Sequence, residues 1–123
     1  MKICITGERK TTLFNNKILE DICKMVLLED VEFLFGDCDG VDAGALKACQ
    51  AIGAKYTVYP ADWRKHGLAA GPIRNKQMID LLVPGVDKVW AYHSDIKKSK
   101  GTKNTIKLAK QRKIEIVMCN IIE

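Results

Sequence analysis

The sequence lacks long hydrophobic runs and paired-cysteine motifs, and both absences exclude classes of protein. No apolar stretch has the length of a membrane helix or of a signal-peptide core, so we expect no membrane partner. The five cysteines are scattered without C-x-x-C spacing, which argues against a disulfide framework and a zinc site. We therefore predict reduced thiols, a cytoplasmic location, no metal and no cofactor.

Acidic residues are absent from residues 97–113, which contain eight lysines and arginines. Three of these lysines recur at the spacing of one helix face: Lys103, Lys107 and Lys110. The opposite face of that helix would carry Thr102, Thr105 and Ala109. The basic face is either a solvated surface or a site for nucleic acid or another polyanion. Acids elsewhere in the chain weaken a general DNA-coating role.

The chain of 123 residues predicts one domain, 1–123, in which strands and helices alternate. Such alternation indicates a parallel sheet, so we expect a single Rossmann-like α/β domain with a mainly parallel five-stranded sheet and helices on both faces. The predicted strands are Ile3–Ile5, Val31–Phe35, Lys55–Tyr59, Val86–Tyr92 and Ile114–Met118. The predicted helices are Phe14–Leu28, Val41–Ile52 (closed by Gly53), Gly71–Leu82 and Thr102–Arg112.

The stretch from Pro60 to Gly71 is the longest predicted irregular segment, and Arg74 and Asn75 follow it at the expected start of a helix. Ligands bind outside the carboxyl ends of the strands in open α/β sheets, and a helix N-terminus attracts anions. We therefore predict that Arg74 contacts a phosphate or carboxylate. Trp63, in the same stretch, either packs under the loop or stacks on a base.

Other strand ends carry glycines and polar residues that favour ligand binding. These candidates are Gly7, Arg9, Gly36, Gly40, Asp42, Ser99, Lys100, Gly101 and Thr102. Asp42 either satisfies backbone donors at a helix start or accepts a hydrogen bond from a ribose hydroxyl. Ser99 to Thr102 open the basic helix as a possible phosphate cradle. His93 ends a strand without an identified carboxylate partner, so we interpret it as a solvated loop residue rather than an acid or base.

Several motifs in this order resemble the YspA/YpsA-related branch of the SLOG superfamily, which includes the LOG phosphoribohydrolases and DprA. The motifs are Gly7-Glu-Arg9, Gly36…Gly40-Val-Asp42, Pro60-Ala-Asp62-Trp63, Gly71-Pro-Ile-Arg74-Asn75…Met78 and Gly101-Thr102. The resemblance implies a Rossmann-like sheet that binds a nucleotide or nucleotide derivative at its switch point. It also implies a homodimer or higher homo-oligomer, because LOG-type relatives build their sites at a dimer interface.

Two positions depart from the pattern that the resemblance implies. Lys98 and Ser99 stand where relatives usually carry a glycine pair, and Thr105 stands where LOG-type hydrolases carry a glutamate. Cleavage of an N-glycosidic bond needs a negative group near the cation-like sugar. Arg74 matches the LOG arginine, so phosphate binding is expected while the chemistry lacks its usual carboxylate.

We therefore expect a protein that binds a nucleotide-type small molecule for sensing, sequestration or processing. The site would comprise the strand-end residues above together with Asp62, Trp63, Gly71, Arg74 and Asn75. The alternative is a nucleoside-monophosphate phosphoribohydrolase, with Asp42, Asp62 and Arg74 as candidate catalytic residues. A further alternative is DprA-like binding of single-stranded DNA through the lysines of 97–113.

Overall fold

The computed structural model describes residues 1–95 and 99–119, so Lys97 and Lys98 of the basic segment lie outside the described residues. Within these ranges, five strands form one sheet in the order β3-β2-β1-β4-β5, and every neighbouring pair is parallel. The strands are Lys2–Gly7 (β1), Glu32–Phe35 (β2), Lys55–Val58 (β3), Lys88–Tyr92 (β4) and Glu115–Met118 (β5). This arrangement confirms the predicted parallel α/β sheet.

Helices connect the strands, and they lie close to the predicted positions. They are Asn15–Leu28 (α1), Val41–Ile52 (α2), Trp63–His66 (α3), Ala70–Ile79 (α4) and Lys100–Gln111 (α5), with a 3₁₀ turn at Gly67–Ala69. Gly53 ends α2 in the left-handed conformation with φ of 77°, as the sequence predicts for a helix stop.

Alternate residues of the strands face two separate apolar cores, which places helices on both faces of the sheet. Ile3 and Ile5 of β1 pack with α1 and α2, whereas Cys4 between them packs with α4 and α5. This period of two follows from the alternating direction of side chains along a strand. The sheet is therefore buried on both sides, as a parallel sheet requires.

The strand order fixes where a ligand can reach the sheet. The chain runs from central β1 outward through β2 and β3, then crosses to the other side of β1 and forms β4. The carboxyl ends of β1 and β4 coincide, because Gly7 is paired with Tyr92. This reversal creates the crevice in which open α/β sheets bind ligands.

The predicted irregular stretch before α4 is largely helical, which corrects the sequence interpretation. Asp62 caps α3, the 3₁₀ turn directly follows α3, and α4 starts at Ala70. Arg74 therefore lies in the second turn of α4 and not at the start of a helix. The free backbone N–H groups of a helix start are not available where the sequence predicts them.

Candidate ligand-binding site

A cavity of about 300 Å³ opens at the carboxyl ends of β1, β2 and β4. Most of the predicted ligand-binding residues line it, namely Gly7, Arg9, Gly36, Asp42, Arg74, Asn75, Ser99, Lys100, Gly101 and Thr102. They come from the ends of β1 and β2, from the start of α2, from α4 and from the start of α5. The fold thus brings together residues that are far apart in sequence.

Four predicted residues are not among those lining the cavity: Gly40, Asp62, Trp63 and Gly71. The Asp62 carboxylate caps α3 and accepts a hydrogen bond from the Lys65 N–H at 3.1 Å. The Trp63 indole is 46% exposed and packs near Gly71, where an added Cβ would lie 3.5 Å from the ring. Asp62 is therefore placed as a helix cap, and Trp63 lies beside Gly71, outside the cavity lining.

Two glycines allow the close approaches that shape the cavity. A Cβ on Gly36 would collide with Nη1 of Arg74 and would lie 2.8 Å from Oδ2 of Asp42. Gly40 has φ of 81° at the start of α2, and its Cβ would collide with the backbone oxygen of Glu8. Gly36 therefore makes room for the side chains of the site, while Gly40 joins the loop after β2 to the loop after β1.

The Arg74 guanidinium is buried, and protein groups engage most of its donors. Nε donates to Oδ1 of Asn75 at 3.0 Å, and Nη1 donates to the Tyr59 carbonyl at 3.1 Å and to Oδ1 of Asp37 at 3.3 Å. Nη2 lies 3.8 Å from Sγ of Cys38, a weak acceptor. A guanidinium has five N–H donors, so Arg74 has little capacity left for a ligand. Its contacts instead hold α4 to the loops after β2 and β3.

Asn75 extends this network to the last helix. Its Nδ2 donates to Oδ1 of Asn104 at 3.1 Å, while its own Oδ1 accepts from Arg74. The side chain of Asn75 is thus engaged at both ends, and it ties α4 to α5 beside the cavity. The structure gives Asn75 a positioning role within the lining.

Asp42 is a partly buried carboxyl group in the cavity. Its Oδ2 accepts a hydrogen bond from the Cys38 N–H at 3.2 Å. Burial raises the pKa of Asp42 from 3.8 to about 6, although this hydrogen bond and the charges of Arg74 and Arg9 act in the opposite direction. A carboxyl group with this pKa exchanges a proton near neutral pH, which suits either proton transfer or binding of a sugar hydroxyl.

The start of α5 has unused hydrogen-bonding capacity at the cavity. Ser99 caps the helix, since its Oγ accepts from the Thr102 N–H at 3.0 Å. The Thr102 Oγ1 atom is buried and has no hydrogen-bond partner within the described ranges. Nη2 of Arg9 lies near this turn, 3.8 Å from where a Cβ on Gly101 would stand. The N-terminus of α5 therefore lies at the cavity, as does the first turn of α2 through Asp42.

The position of the LOG-type glutamate is also in α5, one turn further along. Thr105 is fully buried, and its hydroxyl donates to the Gly101 carbonyl at 3.3 Å. Thr102, Thr105 and Ala109 form the buried face of the helix, while Lys103, Lys107 and Lys110 are exposed. This distribution agrees with the two faces predicted from sequence.

His93 is buried and lines the cavity, so its interpretation as a solvated loop residue was wrong. Its Nδ1 accepts a hydrogen bond from the Asp95 N–H at 2.8 Å. Cys38 and Met78 also line the cavity and were missed. The available signal was position: His93 directly follows β4, and Cys38 lies between two glycines after β2.

Membrane-spanning helices and metal-binding clusters are both absent from the described ranges. No helix within residues 1–95 and 99–119 has the length and apolar character needed to cross a bilayer. The same residues contain no cluster of three or more histidine, cysteine, aspartate or glutamate side chains placed to hold a metal ion.

Comparisons with known proteins yield one structural similarity. No protein-family model and no curated protein sequence matches the chain. The chain is similar in structure to a predicted subunit of a tRNA methyltransferase from Methanocaldococcus jannaschii, with a TM-score of 0.43 and 10% identity. The similarity covers 96% of this chain and 67% of that protein. The Rossmann-like fold rests on the strand order and the two cores described above.

Proposed function

We propose that the protein binds a phosphorylated, nucleotide-type small molecule in the cavity, with its phosphate at the start of α5. The sequence prediction gave the phosphate to Arg74 together with the loop at Ser99 to Thr102, and the proposal keeps the loop without Arg74. The resemblance to the SLOG superfamily supports the nucleotide class of the ligand. The geometry of the cavity supports the location of its anionic group.

The buried hydroxyl of Thr102 is the observation that carries the proposal. A sealed polar atom without a partner costs roughly 1–3 kcal/mol, so few such atoms persist in folded proteins. Thr102 lines the cavity in the first turn of a twelve-residue helix, where backbone N–H groups and the helix dipole favour an anion. An oxygen of a bound phosphate would satisfy the hydroxyl and offset that cost once a small shift of the turn opens Oγ1 to the cavity.

Charge at this end of the cavity supports the same position. Arg9 and Lys100 line the cavity, and the first turn of α5 contains no acidic residue. Arg9 has no hydrogen-bond or ion-pair partner within residues 1–95 and 99–119, so its guanidinium can form charge-assisted bonds to phosphate. Gly101 carries no side chain between this turn and Nη2 of Arg9, which would lie 3.8 Å from an added Cβ.

The size of the cavity limits the ligand. Pockets for small molecules commonly have volumes of about 300–1,000 Å³, and the present cavity of about 300 Å³ lies at the lower limit. A single nucleotide therefore fits the proposal better than a dinucleotide. Asp42, which also lines the cavity, would accept a hydrogen bond from a ribose hydroxyl.

The test compares two threonines of α5. Thr102→Val removes a buried hydroxyl without a protein partner, so we expect unchanged or increased stability of the free protein. The same change should weaken binding of the best ribonucleoside 5′-monophosphate roughly tenfold, since an uncharged donor to phosphate is lost. Thr105→Val is the matched control, because its hydroxyl already donates within the helix, and it should leave affinity unchanged. Calorimetry and thermal unfolding measure both quantities.

Two outcomes would contradict the proposal. Wild-type protein that binds none of the four ribonucleoside monophosphates would remove the nucleotide ligand altogether. Equal affinities of wild type and Thr102→Val, with Thr105→Val also unchanged, would mean that the phosphate does not lie at the α5 turn.

A second candidate function is hydrolysis of the N-glycosidic bond, and the presence of the Asp42 carboxyl group in the cavity favours it. The position of the LOG-type glutamate holds Thr105, which contributes no charge and is not among the cavity-lining residues, whereas Asp42 lines the cavity. A carboxylate beside the sugar would stabilise the positive charge that develops as the bond to the base breaks. With a pKa of about 6, Asp42 would be mostly ionised at neutral pH and able to act in this way.

A further inference from the structure

His93 lies where the cavity meets the central strands. It follows Tyr92, the last residue of β4, which is paired with Gly7 at the end of β1. Its side chain is 8% exposed, and the residue lines the cavity together with the first turn of α5. A buried imidazole at a ligand cavity has two ring nitrogens, and each must be assigned a role.

Contacts within its own loop fix the state of the ring. Nδ1 accepts a hydrogen bond from the Asp95 N–H at 2.8 Å, so this nitrogen carries no proton. Oε1 of Glu8 is 3.9 Å from Nδ1, too far for a hydrogen bond, and it instead accepts from the Ser94 hydroxyl at 2.7 Å. A neutral imidazole with an acceptor at Nδ1 has its proton on Nε2.

The Nε2 atom remains available to a ligand. No residue of 1–95 or 99–119 forms a hydrogen bond to it. Within these residues, a buried side-chain oxygen or nitrogen that lacks both solvent contact and a hydrogen-bond partner is found at Thr102 Oγ1 and not at His93. Because Nε2 has no partner and is not sealed in this way, it retains access to the cavity or to solvent. Two side chains on either side of the β4–α5 connection, His93 and Thr102, thus have unused capacity.

We propose that His93 donates its Nε2 proton to a phosphoryl oxygen of the bound ligand. This inference rests on the proposed function, because it assumes a phosphate at the start of α5. His93 and the first turn of α5 line the same cavity. An uncharged donor at this point would orient the phosphate while Arg9 supplies the charge.

Two substitutions separate the two ring nitrogens. In His93→Asn, the side-chain oxygen can replace Nδ1 as acceptor for the Asp95 N–H, but no donor reaches the position of Nε2. In His93→Gln, the longer amide can place an N–H there. Calorimetry would use the tightest-binding ribonucleoside 5′-monophosphate and the matching nucleoside as probes.

We expect His93→Asn to weaken monophosphate binding roughly tenfold and to leave nucleoside binding unchanged. His93→Gln should stay within a few-fold of wild type. Equal weakening of monophosphate and nucleoside in His93→Asn would overturn a specific phosphate contact. Unchanged monophosphate binding in His93→Asn, or loss in both folded variants, would also overturn it.

The ring state is tested without any ligand. Nitrogen-15 NMR of the histidine side chains in the free protein should show His93 with its proton on Nε2, and His93→Asn identifies the signal. A proton on Nδ1 would refute the inference even if no probe binds. Absence of binding by wild type, with the expected ring state, would instead refute the proposed function.

Discussion

Arg9 and Arg74 line the same cavity, yet their surroundings differ in almost every respect. Arg74 is buried, and its guanidinium bonds to Asn75 in its own helix and to the loops after β2 and β3. Arg9 is exposed and has no such partner within the described ranges. The comparison shows that a cation in a cavity is free for an anion only when its donors are not already engaged. The donors of Arg74 are engaged by the protein, whereas those of Arg9 are left unused by the described residues.

Arg74→Ala should produce the largest effect. The change leaves the Tyr59 carbonyl and Oδ1 of Asn75 without their donor, so we expect the free energy of unfolding to fall by about 3 kcal/mol. Chemical denaturation measures the loss, and Arg9→Ala is the control, expected to change stability by less than about 0.5 kcal/mol. A stable Arg74→Ala protein that loses nucleotide binding would reverse the comparison.

Asp42→Asn should produce the second largest effect, because it replaces the ionisable carboxyl group in the cavity by an amide. Because the folded-state pKa is raised from 3.8 to about 6, Asp42 favours folding below pH 4, and this contribution is lost as the pH rises through 6. The shift corresponds to about 3 kcal/mol. We expect Asp42→Asn to match wild type near pH 4 and to be more stable by up to about that amount at pH 7.5.

Urea denaturation at several pH values measures this difference between wild type and Asp42→Asn. Parallel stability curves for the two proteins would contradict a raised pKa. Chromatography of nucleoside monophosphates incubated with each protein addresses the hydrolase alternative. Base released by wild type and not by Asp42→Asn would favour that alternative, and release by both proteins would exclude Asp42 as the catalytic carboxylate.

Arg9→Ala has the smallest expected effect on the free energy of unfolding, and its main effect should be on ligand affinity. We expect monophosphate affinity to fall roughly tenfold to hundredfold, which is typical for loss of a charged hydrogen bond. Lys10→Ala is the matched control, because Lys10 is the adjacent exposed cation and is not among the cavity-lining residues. Equal losses in both variants would indicate general attraction of anions in place of a defined contact by Arg9.

The sheet and its helices were predictable because their signals are local and repeated. Apolar residues at alternate positions, as in Ile3 and Ile5, identify a strand, and Gly53 stops a helix by its backbone freedom alone. The two faces of α5 followed from the spacing of its lysines. Such patterns depend on neighbours in sequence, so no knowledge of the tertiary structure was needed.

The assignments that failed depend on contacts between distant segments. Prolines and glycines made residues 60–71 look irregular, but capping by Asp62 and packing of Trp63 near Gly71 accompany helical turns there. That change moved Arg74 away from the start of a helix. His93 has no sequence signal for burial, since its environment is created by the loops after β1 and β4.

Cys38 gives the cavity a chemical property of its own. Its thiol is partly exposed and lines the cavity beside Arg74, whereas Cys4, Cys49 and Cys119 are buried and Cys23 lies on the outer surface. A small electrophile that enters the cavity therefore meets a nucleophile at its wall. A ligand that fills the cavity would cover Cys38 and slow its alkylation. Competition between a test compound and a thiol-reactive reagent would therefore identify ligands of the cavity.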